Sequence, residues 1–309
     1  MRSVDLYATY SIVAADADEI GVAVQTHQMA VGGIVPWLKP GVGAVATQSL
    51  VNISLGPLGL SLLEQGVSPE KVIAALTASD TDSSRRQLAV IDPAGTAAGF
   101  TGSGCIREAG HRSGYGYSVQ ANMMYTTTVV DAMAEAFEQS QGRLPERMLL
   151  AMEAAQANAG DIRGMQSAAL VTVSTDPATP SWARRFDLRV DESRSPLDEL
   201  SRLVRLRRAQ HIDGDGHSEL ENGNIPGALE RWKEARRLAP ELEELGFWQA
   251  VTLAEKYPDQ LDTAQSILNG SLAAVPLATP WRELIDRLEA CGLLTTSGLR
   301  ARLDPETNG

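Results

Sequence analysis

The order of strand-like and helix-like segments constrains the fold of this chain more than any single motif. Runs rich in β-branched and small apolar residues come in pairs, whereas the segments between them have helical spacing. The strand-like runs are YSIVAAD, IGVAVQTH, VGAVATQSL, RQLAVIDPAGTAAGFTG, MQSAALVTVST and ARRFDLRVDES. The helix-like segments are LGLSLLEQG, SPEKVIAALTAS, TVVDAMAEAFEQSQ and PERMLLAMEAAQANA. This order predicts two stacked sheets with helices outside them, which is an α+β layered domain.

The character of the sequence changes around residues 195–215. SPLDELSRLVRLRRAQ is charged and amphipathic, HIDGDGH predicts a polar break, and the remainder has helical spacing. We therefore expect a leader over residues 1–8, a first domain over residues 9–205 and a smaller all-α domain over residues 216–309.

The C-terminal segment resembles tetratricopeptide repeats. Two of its helical stretches end at Pro240 and Pro276, and Ala228, Trp232 and Ala235 have the spacing at which one helix nests against its neighbour. A plain helical tail that packs on the first domain is the alternative, because two degenerate copies are fewer than the roughly three repeats that such arrays need.

The composition disfavours several classes of function. The 309 residues carry a net charge of −12, which argues against non-specific binding to nucleic acid or to an anionic membrane. Two cysteines and four histidines offer no disulfide framework, CxxC site or HExxH pair, so we expect no metal and no other cofactor. Neither a membrane-spanning stretch nor a secretory signal is visible, and we therefore expect a cytoplasmic protein.

Residues 8–27, ATYSIVAADADEIGVAVQTH, place Thr9 at the head of the first strand, behind the leader MRSVDLYA. A threonine hydroxyl is a weak nucleophile unless a base takes its proton. At a free N-terminus the α-amino group of the same residue, with a pKa of about 7.7–8, is such a base. The β-branch also restricts χ1 and so holds the hydroxyl in place. Because this amine is released only when the bond before Thr9 is cut, we expect residues 1–8 to be removed.

This arrangement resembles the start of the N-terminal-nucleophile (Ntn) hydrolases, which include the proteasome β-subunits and the glutamyltransferases. Residues 9 to about 205 more closely resemble a bacterial and archaeal family, domain of unknown function 1028, which is grouped with the Ntn hydrolases. The stretches that carry this resemblance are TYSIVA, GVAVQTH, VPWLKPGVGAVATQ, GPLGLSLL, GYSVQANMM and GDIRGMQSAALV. The resemblance implies a four-layer αββα sandwich. The whole chain is then α+β, with a second, smaller all-α helical-repeat domain.

The resemblance also implies catalytic residues. Thr9 is the expected nucleophile, and Ser11, which faces the same side of the strand, is either the fallback or a neighbour. By likeness to the proteasome subunits, Asp161 in GDIRGMQSAAL would orient the new ammonium group and Ser167 would hydrogen-bond to it. Arg163 would pair with Asp161 or receive an anionic group of the substrate. A loop with a structural ion pair is the alternative.

Polar residues near other strand ends are candidates for substrate binding. Gln25 and His27 end the second strand, where the proteasome pattern has an acid and a basic residue, so an amide replaces the acid here. Gln48, Asn52 and Asn122 are uncharged donors suited to an oxyanion hole, and we expect one of the three to serve. The alternatives are a hydrogen-bonded structural histidine and buried amides that satisfy the backbone.

These observations predict an amidohydrolase that uses Thr9 to cleave an amide or ureido C–N bond of a small molecule. The Ala8–Thr9 bond would be cut autocatalytically, and we expect a homo-oligomer. The alternative is a catalytically inactive Ntn-like scaffold. In that case Thr9 stays internal and the C-terminal helices bind a partner protein.

Overall fold

The predicted strand pairs form two antiparallel sheets in the N-terminal part of the chain. A computed structural model of the protein describes residues 6–273, 275 and 278–304. The chain divides into two compact units, residues 1–204 and residues 205–309. The first unit contains both sheets, and the second is helical.

The larger sheet has six strands. They are β2 (Thr9–Ala15), β3 (Glu19–Thr26), β8 (Gly110–Gly114), β9 (Tyr117–Asn122), β10 (Ser167–Ser174) and β11 (Phe186–Val190). Their order in the sheet is β11-β10-β3-β2-β9-β8, which places β2 and β3 at the centre. The strand that begins at Thr9 therefore has a partner on each side.

The smaller sheet has five strands. They are β1 (Leu6–Tyr7), β4 (Pro36–Lys39), β5 (Gly43–Leu50), β6 (Arg86–Ile91) and β7 (Ala97–Thr101). One side of β5 pairs with β6. The other side pairs with β4 near its start and with β1 near its end. The segment in front of Thr9 thus adds a short strand to the edge of β5.

Four helices cover the outer faces of the two sheets. They are α1 (Leu55–Glu64), α2 (Pro69–Ser79), α3 (Val129–Gln139) and α4 (Leu144–Ala157). α1 and α2 pack on the five-stranded sheet around Val45 and Leu88, whereas α3 and α4 pack on the six-stranded sheet around Ile12. Between the sheets lies an apolar layer that includes Val22 and Ile91. The predicted α+β fold with two stacked sheets and helices outside them is confirmed.

The C-terminal unit begins within α5 (Pro196–Glu221), the helix that contains the boundary between the units. Its further helices are α6 (Ile225–Leu238), α7 (Glu243–Lys256), α8 (Leu261–Leu272), α9 (Ala278–Ala290) and α10 (Leu299–Leu303). Ala228, Trp232 and Ala235 are fully buried, as the spacing predicts. Pro240 comes shortly after α6, whereas Pro276 lies outside the described residues. None of the described helices is long and apolar enough to cross a membrane.

The predicted polar break at HIDGDGH is wrong, because these residues are part of α5. Tertiary contacts within the C-terminal unit favour the helix over the local preference of its two glycines. The main-chain oxygen of Asp213 accepts a hydrogen bond from Trp232 Nε1 at 3.3 Å. Gly216 leaves room for the same ring, since a Cβ there would lie 2.4 Å from Trp232 Cδ1. Gly216 therefore allows the Trp232 ring to pack close to the main chain of α5.

Candidate active site

One row of polar side chains crosses the six-stranded sheet at the end where β2 begins. The register pairs Thr9 with Asn122 on β9 and with Thr26 on β3, and it pairs Thr26 with Ser167 on β10. Directly opposed residues on neighbouring strands point to the same face. That face looks toward the five-stranded sheet, because Ser11, two residues further along β2, is hydrogen-bonded to β5. The structure thus brings Thr9, Asn122 and Ser167 into one row.

The chain passes from one sheet to the other at Ala8. Leu6 and Tyr7 belong to the five-stranded sheet, Thr9 begins the central strand of the six-stranded sheet, and Ala8 between them is fully buried. The carbonyl oxygen of Ala8 accepts a hydrogen bond from Thr26 Oγ1 and another from Arg163 Nη2 at 3.2 Å. The Thr9 hydroxyl donates to Thr26 Oγ1 at 3.4 Å. Thr26 therefore links the Thr9 hydroxyl to the carbonyl that precedes it.

Asp161 fixes the position of Arg163. Its buried carboxylate accepts hydrogen bonds from Arg163 Nη2 at 3.1 Å and from the Arg163 main-chain N–H at 2.8 Å. The main-chain N–H of His27 is a further donor to this carboxylate, at 3.0 Å. The loop reaches this arrangement through Gly160 and Gly164, whose φ angles of +50° and +98° favour glycine. Asp161 thus holds both the main chain and the guanidinium group of Arg163, and from this fixed position Arg163 reaches the Ala8 carbonyl.

A buried network of amides and one hydroxyl joins the two sheets beside Thr9. Its members are Ser11, Gln48, Gln87, Gln120 and Asn122. Ser11 Oγ donates to Gln48 Oε1 at 2.6 Å and accepts from Gln120 Nε2 at 2.5 Å. Gln48 Nε2 and Asn122 Nδ2 donate to the main-chain oxygen of Thr9 at 3.3 and 3.4 Å. They also donate to Gln87 Oε1 at 2.7 and 2.9 Å. The predicted oxyanion donors Gln48 and Asn122 therefore hold the main chain of Thr9.

Gln25 and His27 lie in different surroundings. Gln25 pairs with Tyr10, whose side chain belongs to the core beneath α3 and α4, so Gln25 faces away from the side of the sheet that carries Thr9. Among the described residues, neither amide atom of Gln25 has a hydrogen-bond partner. The structure does not bring Gln25 to the Thr9 face, which corrects its expected place beside the nucleophile. The ring Nδ1 of His27 is buried and likewise without a partner in the described part of the chain.

Ser167 lies in the row but is engaged elsewhere. Its hydroxyl donates to the main-chain oxygen of Gln28 and accepts from the N–H of Val31 at 3.2 Å. It therefore holds the segment after β3 against β10.

Asn52 belongs to a separate ionic cluster at the end of β5. Asn52 Nδ2 donates to Asp80 Oδ2 at 3.1 Å, and Arg86 binds the two oxygens of the same carboxylate at 2.7 and 3.2 Å. Arg86 Nη1 also donates to the main-chain oxygen of Leu50 at 2.6 Å. The structure therefore places Asn52 in the support of the β5 end, which corrects its expected role as an oxyanion donor.

The Asp80 cluster predicts a dependence of stability on pH. Hydrogen bonds from Arg86, assisted by those from Asn52, lower the pKa of Asp80 from 3.8 to about 2. Its ionised form therefore stabilises the folded state above pH 3.8, and this contribution is lost as the pH falls toward 2. The shift corresponds to about 2 kcal/mol. We expect Asp80→Asn to lower the free energy of urea unfolding of the N-terminal unit by about this amount at neutral pH and to flatten its acid dependence.

Asp82→Asn is the matched control for this prediction. The Asp82 side chain is 63% exposed and lies 3.9 Å from Arg86, so this ion pair contributes little to the free energy of unfolding. Its unfolding curve should follow that of the unchanged protein. An Asp80→Asn variant that is as stable as the Asp82→Asn variant would contradict the assigned role of the cluster.

Thr26 and Gln87 are site residues that sequence reasoning missed. Thr26 is one residue after Gln25 in the motif GVAVQTH, on the face that the pleat directs toward Thr9. Gln87 stands in a strand-like run, where an amide among apolar residues indicates a buried partner. Its Nε2 donates to the main-chain oxygens of Gly110 and Ala121 at 3.1 and 2.8 Å. Both residues could have been identified from alternation along their strands.

The arrangement contains the parts of an acyl-transfer site. A hydroxyl stands next to a peptide carbonyl, and that carbonyl is polarised by one neutral donor and one cationic donor. Among the described residues, no three His, Cys, Asp or Glu side chains are grouped so that they could hold a metal ion. The chemistry that these residues support is attack by an oxygen nucleophile on a carbonyl carbon.

Sheet order, layering and this polar row define an α+β two-sheet sandwich with a hydroxyl at the head of its central strand. The chain belongs to the family of unknown function DUF1028, whose model matches residues 9–200. A solved structure from the same family, protein SPO2555 from Silicibacter pomeroyi, is similar to this chain at 31% sequence identity with a TM-score of 0.57. The similarity covers 64% of this chain and 88% of that one. No curated protein matches the sequence.

Proposed function

We propose that this protein is a self-processing Ntn hydrolase that cleaves an amide C–N bond of a small molecule through Thr9. One observation carries the proposal. The carbonyl of Ala8 accepts hydrogen bonds from Thr26 and Arg163, and the Thr9 hydroxyl is hydrogen-bonded to the same Thr26. Ala8 lies between the two sheets, so side chains rather than a neighbouring strand satisfy its buried carbonyl, and the two donors there also polarise that carbonyl beside the Thr9 hydroxyl.

The first step is an acyl shift within the chain. Thr9 Oγ1 bonds to the carbonyl carbon of Ala8, its proton passes to Thr26 Oγ1, and the Thr26 proton passes to the carbonyl oxygen. Arg163 stabilises the negative charge that develops on this oxygen. The bond between the Ala8 carbon and the Thr9 nitrogen then breaks as the C=O bond re-forms, and the nitrogen takes up the proton that this oxygen gives back. Water hydrolyses the resulting ester, which frees residues 1–8 as a carboxylic acid and leaves a primary amine on Thr9.

The second reaction uses the amine that the first one frees. The amine accepts the proton of the Thr9 hydroxyl while the oxygen attacks the carbonyl carbon of a bound amide. Thr26 and Arg163 would stabilise the new oxyanion, which is worth about 2.7–4 kcal/mol per donor in other acyl-transfer sites. The amine of the substrate leaves with the proton, and water cleaves the ester. Asp161 acts as a positioning residue because it holds Arg163.

The resemblance to Ntn hydrolases supports the same assignment, since Thr9 leads a central strand of one of two stacked sheets. Ser11 is the weaker candidate for the nucleophile. Its hydroxyl already donates to Gln48 and accepts from Gln120 within the buried network. Removing its proton would break its hydrogen bond to the buried amide of Gln48.

Intact mass together with a pH profile tests the proposal. We expect the purified full chain to lose residues 1–8 on incubation. The mature protein should then hydrolyse compounds from a panel of small amides, with a rate that rises with pH through about 7.7–8 as the α-amine loses its proton. Leader release needs no α-amine, so its rate should not show this rise with pH. A full-length chain that hydrolyses amides undiminished would refute the mechanism, and a full-length inert chain would favour the scaffold hypothesis.

The tetratricopeptide-like interpretation of the C-terminal helices is part of the proposal. Ala228 and Trp232 on α6 support it, because a small and a large buried residue at this spacing allow a neighbouring helix to approach closely. We propose that these helices bind a protein partner or a second copy of the chain. Deletion of residues 216–309 should then abolish that capture while leader release continues.

A further inference from the structure

We propose that the leader marks the acyl subsite of the mature enzyme. The site then takes short peptide-like amides with a small acyl residue, which bind as an added strand on the edge of β5. This inference rests on the proposed function and specifies its substrate class. The observation behind it is the position of residues 6–8, which form an extended segment that ends at the polarised carbonyl of Ala8.

The leader is held in the way that an extended peptide ligand is held. Leu6 pairs with Leu50 and Tyr7 pairs with Ser49 in antiparallel register. β4 pairs with β5 only over Gly43–Ala46, so the leader alone covers this edge at Ser49–Leu50 among the described residues. Release of the leader therefore exposes main-chain donors and acceptors that a second peptide can use. Pairing of this kind recognises any chain with amide groups at the right spacing.

The edge is held in shape by contacts that do not involve the leader. Arg86 binds the main-chain oxygen of Leu50, and Asp80 holds Arg86 through two hydrogen bonds. Ser49 has a φ of +71°, a conformation that costs free energy in a residue with a side chain and that clusters at ligand sites. These contacts keep the end of β5 in place when the leader departs. An edge that is already ordered binds a ligand at a lower entropic cost.

The burial of Ala8 sets the size of the acyl residue. Its side chain is 0% exposed, and the chain must cross between the two sheets at this residue. A substrate that places its carbonyl between Thr26 and Arg163 would put its acyl side chain where the Ala8 methyl group now lies. A methyl group or a hydrogen atom fits there, whereas a larger side chain would displace buried neighbours.

The reaction on such a substrate balances without a further reagent. Thr9 Oγ1 bonds to the carbonyl carbon of the acyl residue, and the bond from that carbon to the leaving nitrogen breaks. The leaving amine takes the proton that Thr9 gave up. Water then adds to the ester and releases a peptide acid together with free Thr9.

Hydrolysis of a peptide series by the mature protein is the first test. The substrates are acetyl-Leu-Tyr-Xaa p-nitroanilides in which Xaa is Gly, Ala, Val or Leu, with acetyl-Ala p-nitroanilide as the short control. We expect the rate to fall by at least roughly 10- to 100-fold from Ala to Val, since one extra carbon in a tight pocket already costs about that factor and valine adds two methyl groups. The short control should show a raised KM, because it lacks the residues that pair with β5.

Leader release by variants at position 8 is the second test. Ala8→Gly should release the leader at nearly the normal rate, whereas Ala8→Val and Ala8→Leu should release it in the same descending order as the anilides. Residue 8 departs with the leader, so the mature product of each variant has the same sequence as that of the unchanged protein. Equal anilide activity of these products would show that the variants fold correctly.

The outcomes separate this inference from the proposed function. A leader that stays attached in the unchanged protein refutes the proposed function and the subsite together. A leader that is released, with Leu and Ala anilides cleaved equally fast, refutes the subsite alone. Cleavage of a carbamoyl compound in preference to every anilide would also overturn the subsite while the Thr9 mechanism stands.

Discussion

Thr9→Ala is expected to abolish leader release and amide hydrolysis together. The variant keeps the strand but has no oxygen to bond to the Ala8 carbon. Loss of a covalent nucleophile lowers turnover by on the order of 10⁶-fold in other acyl-transfer enzymes, so no product should be detected. Thr9→Ser should retain both reactions at lower rates, because serine supplies the oxygen without the β-branch that restricts χ1. Intact mass and anilide hydrolysis measure the two reactions.

Ser11→Ala is the control for the Thr9 variants. It removes a hydroxyl two residues away on the same face, and we expect leader release to continue although Gln48 and Gln120 lose a partner. Each unpaired buried amide costs about 1–3 kcal/mol, so this variant should be less stable. If Ser11→Ala retains the leader while Thr9→Ala releases it, the nucleophile has been assigned to the wrong hydroxyl.

The pairing of Thr9 with Thr26 could be derived from the sequence alone. The acidic turn between β2 and β3 fixes the register, because Asp16 Oδ1 accepts hydrogen bonds from the N–H groups of Asp18 and Glu19 at 2.9 Å. Ala15 then pairs with Ile20, and counting back along both strands brings Thr9 opposite Thr26. The same alternation turns Gln25 to the other face. The turn between β2 and β3 therefore determines one part of the site, the pairing of Thr9 with Thr26.

The contact between Arg163 and Ala8 could not be derived in this way. The two residues are 155 positions apart. The guanidinium reaches the carbonyl only because the loop that contains Gly160 and Gly164, both with positive φ angles, turns back toward the end of β3. The contact between Asn52 and Asp80 could not be derived from the sequence either, because two helices separate these residues along the chain. Sequence patterns specify which face of an element a side chain occupies, whereas contacts between distant loops depend on the packed fold.

Thr26→Val is expected to slow leader release by about 10²–10³-fold, the effect of removing one oxyanion donor. Valine has nearly the shape of threonine, so it fills the same place between Thr9 and Ser167 in the row but has no proton to pass on. The Ala8 carbonyl then keeps Arg163 as its side-chain donor, and the proton of Thr9 loses its path to the carbonyl oxygen. Intact mass followed over time measures the rate, and Thr26→Ser should restore most of it.

Thr172→Val separates this catalytic effect from a general loss of stability. Thr172 is a buried strand threonine on β10 that donates to Glu19 Oε2 at 2.8 Å, so its replacement removes a buried hydrogen bond within the same sheet. We expect Thr172→Val to lower the free energy of unfolding by about 1–3 kcal/mol and to release its leader at the normal rate. Normal release by Thr26→Val would show that no proton passes through Thr26. Arg163 would then be the one assigned donor left to stabilise the oxyanion, and the self-processing mechanism would need a different base.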